Sequence, residues 1–208
     1  MTAASAMLVL STAAGQSAPP LDWLDWDALE AGRIEARTGR AGSGIAASTA
    51  ALIDAPVDVI WSALRKCEIA PEYVSNVVSC ESIEVLDDGR AELFTQTIKP
   101  IFFIPRFDHV FRLDYRPPER IDVSGVSGPL EHMQGSWWLL PQPNGGVLLL
   151  HDLEVDPAFP APRFLLRATM RKELTSIMEA VRSVSEEQAS ALLGEAAQHD
   201  MPTPLSSP

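Results

Sequence analysis

The sequence predicts an α+β protein: a curved antiparallel sheet of about seven strands wraps around a long C-terminal helix, and two short helices follow the first strand. Two observations support this fold class. Residues 77–155 alternate between apolar and polar side chains and are interrupted by turn residues, as antiparallel strands are. Residues 162–185 repeat apolar side chains at helical spacing over a length that covers a sheet. A sheet curved around one helix favours a cavity over a dense core.

Two segments precede the regular pattern. Residues 1–20 carry no charge, and their small apolar stretch is too short to cross a bilayer. This composition is typical of either a secretory signal or a disordered tail. Residues 21–43 form an N-terminal extension, with a short amphipathic helix near its start and a glycine-rich loop at residues 37–44.

The domain itself is predicted to span residues 44–185. It begins with a strand that ends at Pro56, and the helical period of residues 55–68 follows directly. A second short helix is predicted at residues 71–76. The strands that follow are predicted at residues 77–86, 90–99, 106–115, 120–128, 131–140 and 146–155. Residues 186–208 are polar and end in prolines and serines, so we expect a disordered tail.

The ordered set of motifs resembles a known superfamily. "IDAPVDVIWSAL" is similar to its strand-to-helix entry, and "APEYVSNVVSCESIEVLDDG" is similar to its second helix and first hairpin. "RPPERIDVSGVSGPLEHMQGSWWLLPQPNGG" and "FPAPRFLLRATMRKELTSIMEAV" complete the match over roughly residues 44–185. The chain resembles the SRPBCC superfamily, also called START-like, which has the helix-grip fold of the birch pollen allergen. Its polyketide cyclase/dehydrase and coenzyme Q-binding type is the most similar branch.

The resemblance implies a hydrophobic cavity between the long helix and the concave sheet. Members bind lipids, quinones, sterols or polyketides, and some are cyclases or aromatases. The superfamily shares no catalytic residue, so none is assigned here. Members usually have an Asp after the first helix; "RKCE" stands there in this chain, and no role of that Asp carries over.

Nine residues are predicted to line this cavity. They lie on the apolar face of a predicted strand or on the apolar stripe of the final helix. The histidines among them either hydrogen-bond a ligand or are satisfied by neighbouring groups. The aromatic and methionine side chains either contact a flat ligand or simply fill the core. The candidates are Phe107, His109, Phe111, Tyr115, Trp137, His151, Met170, Leu174 and Met178.

Composition and missing motifs exclude other classes of function. The net charge of -12, from 28 acidic and 16 basic residues, argues against a nucleic-acid partner. The sequence has no metal-ligand spacing, nucleophile elbow or glycine-rich phosphate loop, so we expect no metal and no cofactor. Residues 99–107 are apolar and bounded by prolines; they form either a lip that touches a membrane transiently or an irregular strand edge. Nothing in the sequence indicates an oligomeric state.

These observations favour a carrier or sequestering protein for a quinone, sterol, polyketide or fatty-acid-like molecule. The alternative is a cyclase-like or aromatase-like enzyme in which His109, His151 or Tyr115 provides acid/base help. A third interpretation is an interaction domain whose own side chains fill the cavity.

The chain has two cysteines, Cys67 and Cys80. The chain between them turns back through the second helix, so a disulfide is predicted; two independent buried thiols are the alternative. A disulfide indicates an oxidising compartment. Together with the N-terminal stretch, the disulfide predicts a periplasmic or secreted protein. Without the disulfide, a cytoplasmic protein is predicted.

Overall fold

A computed structural model of the chain describes residues 19–99, 105–143, 145–159 and 162–199. Its strands are β1 (Glu35–Ala41), β2 (Gly44–Ile53), β3 (Val77–Leu86), β4 (Ala91–Ile98), β5 (Phe107–Arg116), β6 (Arg120–Ser127), β7 (Leu130–Pro141) and β8 (Val147–Pro157). Its helices are α1 (Trp26–Glu30), α2 (Val57–Leu64), α3 (Ala70–Tyr73) and α4 (Arg163–His199), with a 3-10 turn at Cys67–Ile69.

All these strands belong to one antiparallel sheet in the order β1-β2-β8-β7-β6-β5-β4-β3. The chain runs from β3 to β8 as a meander, and β8 then pairs with β2, which brings the first and last parts of the sheet together. The sheet curves around α4, so the protein has the helix-grip fold. The predicted fold class is confirmed.

The described residues contain eight strands rather than about seven. The additional strand is β1, which lies where the glycine-rich sequence predicted a loop and which pairs with β2 from Glu35↔Ala50 to Ala41↔Gly44. The prediction of a loop at residues 37–44 is therefore wrong, and the sheet begins within the predicted N-terminal extension. β1 lies at the edge of the sheet, so its backbone hydrogen-bonds to one neighbouring strand and its other side faces outward. A polar, glycine-containing sequence can form such an edge strand.

The final helix is longer than its apolar stripe predicted. α4 continues to His199, so the prediction of a disordered tail is wrong for residues 186–199. Its polar continuation is rich in good helix formers, and it keeps contacts with the domain: Ala189 is buried. The Glu186 carboxylate also accepts a hydrogen bond from the backbone N–H of Asp54 at 3.1 Å. Residues 200–208 lie outside the described part.

Apolar side chains pack on both faces of the sheet. The main core lies on the concave side and includes Ile60 of α2, Phe94 of β4 and Met178 of α4. A second cluster lies on the convex side, where Leu29 of α1 packs with Trp138 and other outward-facing side chains of β2, β7 and β8. The N-terminal extension therefore covers sheet surface that would otherwise be exposed.

Two predictions fall on parts of the chain that the structure does not describe. The N-terminal stretch is described only from residue 19 onward, and the proposed lip at residues 99–107 includes residues 100–104, which lie outside the described part. Both stay predictions. In the described residues no helix combines the length and the apolar character needed to cross a membrane.

A disulfide joins Cys67 to Cys80, as predicted. The two Cα atoms are 5.4 Å apart, within the usual range for a bridge. The bond connects the 3-10 turn before α3 to strand β3, so it holds the α2–α3 segment against the edge of the sheet.

Removing this bridge is expected to lower the free energy of unfolding by about 3 kcal/mol, because the open loop of the unfolded chain gains conformational entropy. The test is urea denaturation of Cys67→Ala/Cys80→Ala against the wild type. A thiol reductant should destabilise the wild type and leave the double variant unchanged. Equal free energies of unfolding for the two proteins would show that the bridge does not stabilise the fold by restricting the unfolded chain.

A candidate ligand-binding cavity

A cavity of about 370 Å³ lies between α4, the α2–α3 segment and the concave face of the sheet. Its walls are mostly aliphatic and aromatic. α4 contributes one side through residues such as Leu166, Ile177 and Val181, and the sheet contributes the opposite side from β4 to β8. The volume lies at the lower end of the range for small-molecule sites.

Seven of the nine predicted residues line this cavity. They come from β5, β7, β8 and α4, and they are Phe107, His109, Phe111, Trp137, His151, Met170 and Leu174. Tyr115 and Met178 do not line it. Contact with a ligand stays a prediction for the seven.

Tyr115 is held in a polar arrangement beside the cavity. Its hydroxyl donates a hydrogen bond to Glu92 at 2.9 Å, and the Arg65 guanidinium lies 4.7 Å from the centre of its ring. Burial, together with the bond to Glu92, raises the pKa of Tyr115 above its ordinary value. This side chain is therefore a packed structural residue and is not positioned for acid/base chemistry in the cavity.

Met178 belongs to the core rather than to the cavity wall. Its side chain is fully buried in the concave-side cluster. Ile177, the preceding residue, does line the cavity. Consecutive helical residues point about 100° apart, so the apolar stripe of α4 divides into a cavity side and a core side.

His109 lies in the cavity wall with a hydrogen-bond partner. Its Nε2 is 2.9 Å from the Gln96 side-chain oxygen; in the tautomer that carries its proton on Nε2, the ring donates this hydrogen bond and Nδ1 is an acceptor. Its ring stacks on Phe111 with 5.5 Å between ring centres. Burial lowers the pKa of His109, with a smaller opposing effect from Asp108, and the imidazole is neutral at pH 7.

His151 is a deeply buried polar residue of the cavity wall. Its ring lies parallel to that of Trp137, with 3.7 Å between ring centres and an interplanar angle of 8°. The side chain is 4% exposed, and Nδ1 forms no hydrogen bond with any described residue. Burial lowers the pKa of His151 to about 3, so it too is neutral at pH 7.

Sequence reasoning missed the rest of the wall. Gln96 could have been found, because it alternates with Phe94 and Ile98 on the same face of β4. Glu173 lies between Met170 and Ile177 at helical spacing, but a carboxylate in an apolar stripe looks like a surface residue. The contribution of the α2–α3 segment depends on tertiary packing and has no local signal; its wall residues are Ala63, Leu64, Lys66, Cys67, Ile69, Ala70, Tyr73, Val74 and Asn76.

No group of three or more His, Cys, Asp or Glu side chains in the described residues has the arrangement of a metal site. The cavity wall is mostly apolar and includes a few hydrogen-bonding side chains.

Comparison with known proteins agrees with this geometry. The family model for polyketide cyclase/dehydrase and lipid transport matches residues 53–182, more than half of the chain. The chain belongs to this family. The resemblance to the SRPBCC superfamily is thereby confirmed. No curated protein matches the chain.

Solved structures of other proteins share the fold of this chain at low sequence identity. A STAR-related lipid transfer protein from Xanthomonas axonopodis has a TM-score of 0.63 and 16% identity, with 72% of this chain and 92% of that chain covered. The Zhui aromatase/cyclase from Streptomyces sp. R1128 has a TM-score of 0.59 and 15% identity, covering 74% and 96%. The lipid transfer and protein localization domain of human StarD13 has a TM-score of 0.59 and 14% identity, covering 73% and 84%.

The buried histidine predicts a pH dependence of stability. Because the pKa of His151 is about 3 in the folded protein and about 6.5 when unfolded, the unfolded chain binds more protons between these values. Stability should therefore fall as the pH drops below about 6.5, by up to about 1.4 kcal/mol per pH unit from this residue. His109 acts in the same direction, whereas burial raises the pKa of Glu173 and opposes it.

Comparison of variants isolates the contribution of His151. Free energies of unfolding at pH 7, 6 and 5 should fall less steeply for His151→Leu than for the wild type. His132→Gln, at an exposed position of β7, removes an imidazole that water hydrates in both states and controls for the substitution itself. Parallel pH curves for His151→Leu and wild type would contradict the burial of a neutral imidazole.

Proposed function

We propose that the protein binds one apolar small molecule or lipid in the cavity between α4 and the sheet, as a carrier or a sequestering protein. The observation that carries the proposal is an apolar cavity of about 370 Å³ left open at the centre of the fold. The ligand classes considered are quinones of the coenzyme Q type, sterols, polyketides and fatty-acid-like chains. The family description and the lipid transfer proteins of the same fold support this choice.

The electrostatics of the wall also favour an uncharged ligand. Both histidines are neutral, so a buried anion would meet no positive imidazole. Lys66 is the wall residue with a positive charge, and it is exposed at the rim. Moving a charged group from water into such an apolar site costs free energy unless an opposite charge or hydrogen bonds compensate for it.

A cyclase-like or aromatase-like activity is the second candidate. The observation that favours it is His109, a neutral imidazole that a hydrogen bond with Gln96 holds in the cavity wall. Such a group can take a proton from a bound polyketide. His109→Ala should then abolish turnover of a polyketide substrate, and turnover that persists would exclude this role.

We also propose that the protein acts in an oxidising compartment, the periplasm or the outside of the cell. The Cys67–Cys80 bridge supports this location, because disulfides persist mainly where thiols are not kept reduced. Thiol labelling of protein unfolded directly from its native compartment should detect no free cysteine in most molecules. Two labelled thiols per chain would place the protein in a reducing compartment instead.

Blocking the cavity is expected to abolish ligand uptake. Leu174 is 2% exposed and lies in the cavity wall, so Leu174→Trp fills space that a ligand would occupy. Binding of the apolar dye Nile red, followed by fluorescence titration, should weaken at least tenfold. Leu193→Trp makes the same change on the same helix at a side chain that is 73% exposed, and it should bind the dye like the wild type.

Circular dichroism and thermal unfolding must show that both tryptophan variants are folded. If folded Leu174→Trp binds Nile red as tightly as Leu193→Trp, the dye does not occupy this cavity, and the proposed function loses its physical basis.

A further inference from the structure

The first turns of α4 carry positive charge outside the cavity. Residues 157–172 contain four basic side chains and no acidic one, in a chain whose net charge is -12. The first carboxylate that follows belongs to Glu173, which lies in the cavity wall. The four basic residues are Arg163, Arg167, Arg171 and Lys172.

Helical spacing places two of these charges beside an exposed aromatic side chain. Residues at positions i, i+4, i+7 and i+8 share one face of a helix. In the first turns of α4 all four such residues are exposed, and Phe164 is 75% exposed. The other side of the same turns lines the cavity through residues such as Leu166 and Met170. We call the exposed side the outer face of α4; its residues are Phe164, Ala168, Arg171 and Lys172.

The positive charges of the outer face form no salt bridge within the described part of the chain. Lys172 interacts electrostatically with Glu173, but burial has the larger effect on the pKa of that carboxyl. Arg163, which precedes Phe164, donates a hydrogen bond to the backbone oxygen of Ser43 at 3.2 Å, an uncharged partner. The outer face therefore presents positive charge to its surroundings.

The far end of α4 also exposes an apolar side chain, but its charge is opposite. Leu193 is 73% exposed, and residues 186–199 contain three acidic side chains and no basic one. A single exposed apolar side chain is common on soluble proteins and indicates no partner. The outer face differs from the far end because it combines Phe164 with positive charge. This combination fits a partner that is anionic at its surface and apolar beneath it.

A bilayer that contains anionic phospholipid has both properties. Its phosphate groups attract Lys and Arg side chains near the surface, and an aromatic side chain inserts at the boundary with the acyl chains. The acidic remainder of the protein does not prevent this contact, because charges more than about 10 Å away are largely screened at 0.1 M salt. An acidic protein would also attract the charges, but it would need a pocket placed to bury Phe164.

We propose that the outer face of α4 docks on a bilayer that contains anionic phospholipid, with Phe164 inserted into the bilayer and with Arg171 and Lys172 beside its phosphate groups. The inference goes beyond the proposed function, because it concerns the outside of the protein and does not depend on which ligand the cavity holds. Docking there places the helix that forms one wall of the cavity at the lipid surface.

The first test measures co-sedimentation of the full chain with lipid vesicles. The vesicles contain phosphatidylcholine alone, or phosphatidylcholine with about one third phosphatidylglycerol as the anionic lipid. At about 0.1 M salt the protein should bind the anionic vesicles at least tenfold more tightly than the neutral ones. Raising the salt to about 1 M, where the Debye length is about 3 Å, should remove most of this preference.

Variants assign the binding to the outer face. Arg171→Gln/Lys172→Gln should weaken binding to the anionic vesicles at least tenfold, because each Lys or Arg at an anionic surface strengthens binding about fivefold. Arg33→Gln/Arg90→Gln removes the same amount of charge from exposed positions before β1 and β4. This control should bind within about twofold of the wild type.

A second pair of variants tests the aromatic side chain. Phe164→Ser should weaken binding to the anionic vesicles about tenfold, because it removes the group that inserts into the bilayer. Leu193→Ser makes a similar change at an equally exposed position of the same helix and should bind like the wild type. Circular dichroism must show that each variant is folded, and the comparison of the two vesicle types on the wild-type protein tests the proposal without any variant.

The outcomes separate this inference from the proposed function. Absence of vesicle binding, or equal binding to both vesicle types, overturns the docking surface. It is also overturned if Arg33→Gln/Arg90→Gln weakens binding as much as Arg171→Gln/Lys172→Gln, or if the protein binds poly-glutamate and not the vesicles. Nile red titration without vesicles should give the wild-type affinity for Arg171→Gln/Lys172→Gln, so the cavity and the outer face are tested independently.

Discussion

The position of α4 against one side of the curved sheet is the constraint on which the rest of the structure depends. The helix packs chiefly on β2, β1 and α2. The strands from β4 to β7 curve away from it, and their inward side chains face the gap that remains. Because the backbone hydrogen bonds of the sheet fix this curvature, side chains on opposite walls cannot simply move together to close the gap. The helix and the sheet therefore stabilise each other and hold a cavity open at the same time.

Periodicity predicted the architecture well because it reports which face of an element is buried. The strands from β3 to β8 alternate clearly, and the apolar stripe of α4 is long. β1 was missed because "EARTGRA" has no such alternation, and its pairing with β2 depends on the neighbouring strand rather than on its own side chains. The polar end of α4 was missed for a similar reason: Ala189, which is buried there, is a small residue that carries little hydrophobic signal.

The sequence predicted which side chains point to the concave face of the sheet. It did not predict which of them lie beside the cavity. Tyr115 shares the concave face with His109 and Phe111, yet it lies farther along β5, where Trp61 of α2 packs at 6.1 Å between ring centres and closes the space. A sequence pattern of period two cannot report where along a strand another element covers it. The same limit applies to the α2–α3 wall, whose place opposite α4 follows from the chain path and the disulfide rather than from any local motif.

The disulfide has a mechanical consequence for the cavity that it borders. Cys67 is itself a wall residue, and the covalent bond to Cys80 fixes the wall beside it to the edge of the sheet. That part of the rim cannot swing outward without breaking a covalent bond. The first turns of α4 and the beginning of β5, where Leu165 and Phe107 line the cavity, have no such anchor. The cavity is therefore held by a covalent bond on its Cys67 side and by non-covalent packing alone beside Leu165 and Phe107, so its two ends differ in stiffness.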